Sequence, residues 1–469
     1  MKEYRITATV RVEEITQTDP PVITDPPVIV NPPTTTDKGD ASKIGVNAFH
    51  WVPLEKLKPF SNVRLYIAAG WIWRPGGLFV EPIWQAETAT VSGLDTYFAK
   101  AKEAGIEILP CINQTPEWFR PSGSNDTSND YPPVKEGLSR TDPASYQEYA
   151  QFWFQFVARY GSKKHPDSVL RVDTTPKYNN QPLNVKKSGL GLIKAVEIGN
   201  EWDRWWDGTG PKYMKPYEHA AMLRAVYSAI KQADPDMIVV MGGLTGLDDT
   251  YLTSMIQGLA EMDVINVHHY SNNGNKAGHW PPQWNNSGAC MPEDDKAFSP
   301  GFQKIKSIAT NAGKPLWCTE FGADSVGGNS WMHIVGGEEA QSELIIRTYL
   351  LQIAAGVDRS YQFMIIDQPD SKSGNLWQSC GMLTSEVTGF EEKFAYAGMQ
   401  WLIEQLTGYR YVSHMITPID VSLKFSNGKS IRELRWSRST NYSTLDPYLG
   451  ERVYAVDHEI KVVNNAYVG

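Results

Sequence analysis

The chain has 469 residues, 41% of them hydrophobic and 21% charged, enough for one large globular domain with appendages or for two or three smaller ones. A net charge of −9 with no basic run excludes a nucleic-acid partner, and no apolar run reaches the ~20 residues of a membrane span. Aromatics are abundant, with 16 Trp, 22 Tyr and 15 Phe, and several stand beside Gly, Pro, Asn or Asp in loop-like segments, where a flat exposed ring suits the C–H face of a sugar.

Residues 1–16 begin "MKEYRITATVRVEEI", which alternates like a strand and lacks the apolar core of a signal peptide. Residues 17–40 hold three Pro-Pro pairs among Thr and Asp and read as an extended linker. That arrangement leaves room for attachment to another domain or assembly, and it suits an extracellular or cell-surface protein.

A rhythm begins near residue 43. Eight strand patterns follow: "KIGVNAF", "NVRLYIAA", "IEILPCIN", "KAVEIGNE", "MIVVMGG", "DVINVHHY", "PLWCTEFG" and "SYQFMIID". Helical stretches lie between most of them. One opens with Asp142 as N-cap and Pro143 at the first position, and carries Tyr146, Tyr149, Trp153, Val157 and Tyr160 on one face. A second repeats the spacing through Met222, Val226, Ile230 and Ala233. Alternating strands and helices imply parallel pairing, and eight units predict a (β/α)8 barrel over residues 41–408. The rival, a doubly wound open sheet, would want a Gly-rich phosphate turn after an early strand, which is missing. No cofactor is expected. Residues 409–469 read as a small β-domain or partial sheet, with turns at Asn427-Gly428 and Leu449-Gly450. Of the four cysteines, Cys111 and Cys318 fall in strands and read as buried thiols, while a bridge between Cys290 and Cys380 stays open.

In such a barrel the site lies at the C-terminal ends of the strands. Strand two carries Arg64, strand three ends in Asn113, strand four in Asn200 and Glu201, strand six in His268, His269 and Tyr270, and strand seven in Glu320. Two carboxylates on strands four and seven face each other across a narrow barrel. That pairing suits retaining glycoside hydrolysis, one acid protonating the leaving group and one ionised carboxylate attacking the anomeric carbon. Arg64 and Tyr270 are placed to hold Glu320 charged. Strand periodicity puts Leu316, Cys318 and Glu320 on one face, and His268 with Tyr270 while His269 points away. His268 reads as a positioning residue. No set of side chains has metal-ligand spacing, and the loop Ser122–Asp130 lacks the EF-hand pattern. Tryptophans follow most strands: Trp71 and Trp73, Trp118, Trp202 with Trp205 and Trp206, Trp280, and Trp377. Several stacking platforms favour an extended chain and endo-action on a polysaccharide. The alternatives are an exo-acting glycosidase and a non-catalytic glycan-binding or adhesion protein on a barrel scaffold.

These motifs resemble those of the clan A glycoside hydrolases, retaining (β/α)8 enzymes. "EIGNEWD" is similar to their strand-four Asn-Glu motif, "PLWCTEFG" to their strand-seven nucleophile motif, "DVINVHHY" to their strand-six pattern and "VRLY" to their strand-two arginine. "GMLTSEVTGFEEKFAYAGMQWL" is similar to the segment entering their last helix, with Phe394 in place of a proline. Families 39 and 5 both look similar in places. The resemblance implies that Glu201 is the acid/base, Glu320 the nucleophile, Asn200 a ligand of the sugar 2-hydroxyl, and Tyr270 and Arg64 the residues that orient Glu320.

Overall fold

A computed structural model describes residues 37–80, 83–85, 91–122, 131–173, 185–203, 211–271, 288–437, 454–459, 461–463 and 466–468. The chain divides into two compact units, Ser42–Ile403 and a second that joins residues 37–41 to those from Glu404 onward.

The first unit holds β1 (Ile44–Ala48), β2 (Asn62–Ala68), β3 (Glu107–Asn113), β4 (Ala195–Ile198), β5 (Ile238–Met241), β6 (Ile265–His268), β7 (Leu316–Phe321) and β8 (Arg359–Gln362). They form one parallel sheet in the order β6-β7-β8-β1-β2-β3-β4-β5. The bridges Val240–Val264 and Leu244–Val267 bring β5 against β6, with His268 N–H donating to Leu244 O at 2.7 Å, and close the barrel. The eight strands expected from the sequence are these eight.

Among the described residues seven longer helices flank it: α1 (Leu94–Glu103), α2 (Gln147–Tyr160), α3 (Pro216–Ala233), α4 (Asp249–Gln257), α5 (Phe298–Asn311), α6 (Gly337–Ala354) and α7 (Phe394–Leu406), the last running past the boundary at Ile403. Asp142 caps a 3-10 turn that leads into α2, its carboxylate accepting from Ala144 N–H at 2.9 Å. The aromatic face expected on α2 is buried throughout, as is the Met222–Val226–Ile230–Ala233 face of α3.

Inside the barrel the side chains stack in layers. At the N-terminal end Arg359 pairs with Glu107 at 3.1 Å and lies over the Trp317 ring. Above it Leu109, Ala195, Val240, Val264, Trp317 and Tyr361 form an apolar layer. Two residues after Ala195, Val264 and Trp317 the interior turns polar: Glu197, Asn266 and Thr319 are fully buried there, together with Arg64 of β2. This polar layer floors the mouth of the barrel.

The second unit is an antiparallel sheet, β9 (Arg410–Ile416), β10 (Asp420–Ser426), β11 (Ser430–Ser437) and β12 (Tyr454–Glu459), in that order. Val421, Leu423 and Phe425 alternate into its core with Leu434 and Trp436. Gly428 closes the expected β10–β11 turn at φ +81°. The N-terminal strand pattern, most of the linker and the Leu449-Gly450 turn lie outside the described residues.

All four cysteines are buried free thiols, so no bridge joins Cys290 and Cys380. No described helix is long and apolar enough to cross a membrane.

Candidate active site

β4 runs out at Ile198, and the chain must turn sharply at the barrel rim. Gly199 does so at φ +76°, where a Cβ would collide with the Trp202 ring. Glu201 then adopts φ +52°, and its N–H donates to Gly243 O at 3.0 Å. A glutamate in this left-handed region costs about 1–3 kcal/mol, which the surrounding structure must hold in place. The turn aims the Glu201 carboxylate at the barrel axis.

β7 delivers Glu320 by a different device. Val267 pairs with Cys318 but His268 pairs with Glu320, so the register slips and Thr319 is an extra residue. Thr319 and Glu320 therefore both serve the interior. This corrects the strict alternation expected from the sequence: Cys318 turns outward and accepts from Gln352 Nε2 of α6 at 3.3 Å. On β6 the expected parity holds. His268 and Tyr270 face the site, while His269 pairs with Asp295 at 2.8 Å.

Four side chains, Arg64, Tyr66, Tyr270 and His268, converge on the two carboxylates. Arg64 Nη1 donates to Glu320 Oε1 at 2.7 Å, and the Tyr66 hydroxyl donates to the same oxygen. The Tyr270 hydroxyl donates to Glu320 Oε2 at 2.8 Å. His268 Nδ1 lies 2.8 Å from Glu201 Oε1 and 3.6 Å from Glu320 Oε2. An oxygen of Glu201, an oxygen of Glu320 and a ring nitrogen of His268 all lie within 4.8 Å of one another. Burial alone would raise the Glu320 carboxyl, but the charges of His268 and Arg64 and the Tyr66 hydrogen bond hold it below the ordinary carboxylate value. Burial works against a charged His268, yet Glu320 and the hydrogen bond to Glu201 outweigh it and raise the imidazole. Asn200 Oδ1 accepts from Arg64 Nη2 at 2.7 Å, which fixes the orientation of its amide.

A buried support lies beneath. Glu197 binds Arg64 through two contacts, 2.6 Å to Nε and 2.8 Å to Nη2. Arg64 Nη1 also donates to Asn47 Oδ1 at 2.9 Å, and its guanidinium lies over the Tyr66 ring. Glu197, Tyr66, Asn47, Asn266 and Thr319 were not singled out from the sequence. The signals existed: Tyr66 stands two residues after Arg64 on the same strand face, and Glu197 interrupts an apolar strand with an acid.

The tryptophans divide. Trp71 and Trp118 are 41% and 39% exposed, and Trp377 is half-buried against Tyr270, Trp331 and Phe363. Trp51, not singled out from the sequence, is 44% exposed and stacks on Phe49. Two expectations are corrected. Trp73 is fully buried among Trp118, Phe119, Tyr149 and Phe152, because the short strand pair 73–74 and 78–79 turns it onto α2. Trp202 is buried too, its Nε1–H donating to Ile198 O at 3.0 Å to cap the β4 end. Trp205, Trp206, Trp280 and most of the loop Ser122–Asp130 lie outside the described residues. Asn113 sits half-buried at the end of β3.

No family model and no curated protein matches the sequence. The fold does match solved structures. A family 39 glycoside hydrolase from Bacteroides cellulosilyticus WH2 is similar at TM-score 0.56 and 14% identity, over 91% of this chain and 79% of that one. A monomeric β-xylosidase from Caulobacter crescentus CB15 is similar at 0.51 and 13%, over 90% and 78%. A family 51 α-L-arabinofuranosidase from Bifidobacterium longum is similar at 0.51 and 12%, over 93% and 94%. The chain has the (β/α)8 barrel of these glycoside hydrolases, the fold that the sequence motifs led us to expect.

Proposed function

We propose that the protein is a retaining glycoside hydrolase that cleaves β-glycosidic bonds of a polysaccharide by double displacement. The observation that carries this reading is the close approach of Glu201 and Glu320, whose nearest oxygens fall within 4.8 Å. Retaining enzymes hold their carboxyl groups about 5–5.5 Å apart, whereas an inverting site needs about 6.5–9.5 Å to seat a water between sugar and base. Glu320 is the nucleophile. Arg64, Tyr66 and Tyr270 keep it ionised and aim it. Glu201, with His268 at its side, is the acid that protonates the leaving oxygen and then the base that activates water. Asn200, held by Arg64, meets the 2-hydroxyl of the sugar being cleaved.

Endo-action on an extended chain is supported by the exposed Trp51, Trp71 and Trp118 in loops after β1, β2 and β3. Exo-action is the second reading, because two of the similar structures are named as a β-xylosidase and an arabinofuranosidase. Work on polysaccharide also fits an extracellular or cell-surface location. A glycan-binding role without turnover is the reading that the experiment must defeat. Release of reducing ends from a panel of β-linked polysaccharides is measured for the native protein and for Glu320→Gln. Cleavage with retained anomeric configuration, lost by ~10³-fold or more in the variant, supports the proposal. Tight binding of a polysaccharide with no turnover overturns it.

A further inference from the structure

His268 touches both carboxylates through one nitrogen, and its other nitrogen reaches downward into the buried layer. Nε2 lies 3.0 Å from Thr319 Oγ1. Thr319 has one hydroxyl hydrogen to give, and its other close partners decide where it goes. Glu197, salt-bridged to Arg64, only accepts, and its Oε1 lies 3.2 Å from Thr319 Oγ1. Asn266 Nδ2 donates to Thr319 Oγ1 at 2.8 Å. The orientation of that amide is settled by its surroundings, since the same nitrogen meets Glu197 Oε1 at 3.0 Å and Met241 O at 3.2 Å, both acceptors. With its hydrogen committed to Glu197, Thr319 presents only lone pairs to the ring.

We propose that Thr319 and Glu197 lock Nε2 of His268 as a permanent donor, so that Nδ1 is the ring's only exchanging position and His268 and Glu201 hold the catalytic proton as one shared couple. The exchange needs no other reactant. The Nδ1–H bond breaks as the Glu201 O–H bond forms, and the imidazolium–carboxylate pair becomes a neutral imidazole and a carboxylic acid. The acid then gives that proton to the leaving oxygen. The charged groups around the ring agree: Glu201 from the end of β4 and Glu320 from β7 favour the charged form, Arg64 from β2 opposes it, and Glu197 acts through Thr319. Gly243 of the β5 end makes room, because a Cβ there would stand 2.1 Å from Nε2. Thr319 and Glu197 are thus positioning residues. Their role in proton delivery rests on the glycosidase reading; the state of the ring does not.

The test is nitrogen NMR of the full chain with ¹⁵N-labelled histidine, the His268 signals being assigned by their absence in His268→Gln. Nε2 should carry a proton from acid to alkaline pH, with only Nδ1 titrating. In Thr319→Val the lock is gone, so the ring populates both tautomers and the charged form is less favoured. The alkaline limb of kcat/KM then moves to lower pH by about one unit, roughly tenfold in rate above it, and Thr319→Ser restores both readouts. A bare Nε2 in the native protein at neutral pH overturns the proposal, as does a Thr319→Val pH profile that superimposes on the native one. If Thr319→Val fails to fold, the native spectrum and Thr319→Ser carry the decision. A locked Nε2–H in a protein that hydrolyses no glycoside supports the lock and sinks the hydrolase reading instead.

Discussion

The guanidinium of Arg64 meets the carboxylate of Glu197 through two contacts of 2.6 and 2.8 Å, with neither side chain exposed to solvent. The pair sits under Glu320 and fixes the arm that reaches it. Breaking one partner of such a pair strands a buried charge and costs about 3–5 kcal/mol. Glu197→Gln should lower stability by that order in chemical denaturation. Replacing both partners together, Arg64→Met with Glu197→Leu, should cost far less than the sum of the single changes and still leave the protein inactive. Additive losses would show that the two residues act independently.

Glu201→Gln should depend on the leaving group. With a poor leaving group the first chemical step needs its proton, so kcat/KM should fall by ~10²–10⁴-fold. With an activated aryl glycoside that step should be nearly spared, and the burst of released phenol should outrun steady turnover. Equal losses on both substrates would remove Glu201 from the acid/base role.

Asp203 follows Glu201 by two residues and is buried, its carboxylate accepting from the N–H and hydroxyl of Thr245. Burial pushes its carboxyl up to about 7, with the Thr245 hydrogen bonds pulling down and the Glu201 charge adding to the rise. The folded protein thus binds a proton here that the unfolded chain releases near pH 4. Stability from this group is complete below about pH 4 and is lost as pH rises through about 7. Asp203→Asn keeps an acceptor for Thr245 and should flatten the decline in melting temperature across that window. An unchanged slope would place the titration elsewhere.

Trp73 and Trp71 are two residues apart and should behave oppositely. Trp73→Ala removes a fully buried ring and should cost about 3–5 kcal/mol of stability. Trp71→Ala, at an exposed ring, should leave stability within about 0.5 kcal/mol and raise KM for long oligosaccharides more than for short ones. A length-independent KM would remove Trp71 from the substrate path.

Gly243→Ala places a methyl where the His268 ring lies. The ring must move, so kcat should fall by more than tenfold while KM changes little, and the distance from Nδ1 to Glu201 should lengthen in a crystal structure of the variant.

The sequence by itself determined the barrel and the order of its strands, because apolar segments separated by helices with a 3.6-residue apolar face admit few topologies. It also placed Glu201, His268, Tyr270 and Glu320 at strand ends, since polar residues that terminate buried strands can only emerge at the rim. Only the tertiary structure decided the rest. The slip of register at Thr319 is invisible to a period of two, and it brings Glu320 into the site beside Thr319, while Cys318 faces outward. The bond between Arg64 and Glu197 joins residues 133 apart, which local pattern cannot pair. Trp71 and Trp73 share the same loop-like neighbourhood, yet one faces solvent and the other fills the core, because burial belongs to what packs against a ring rather than to the residues beside it in the chain.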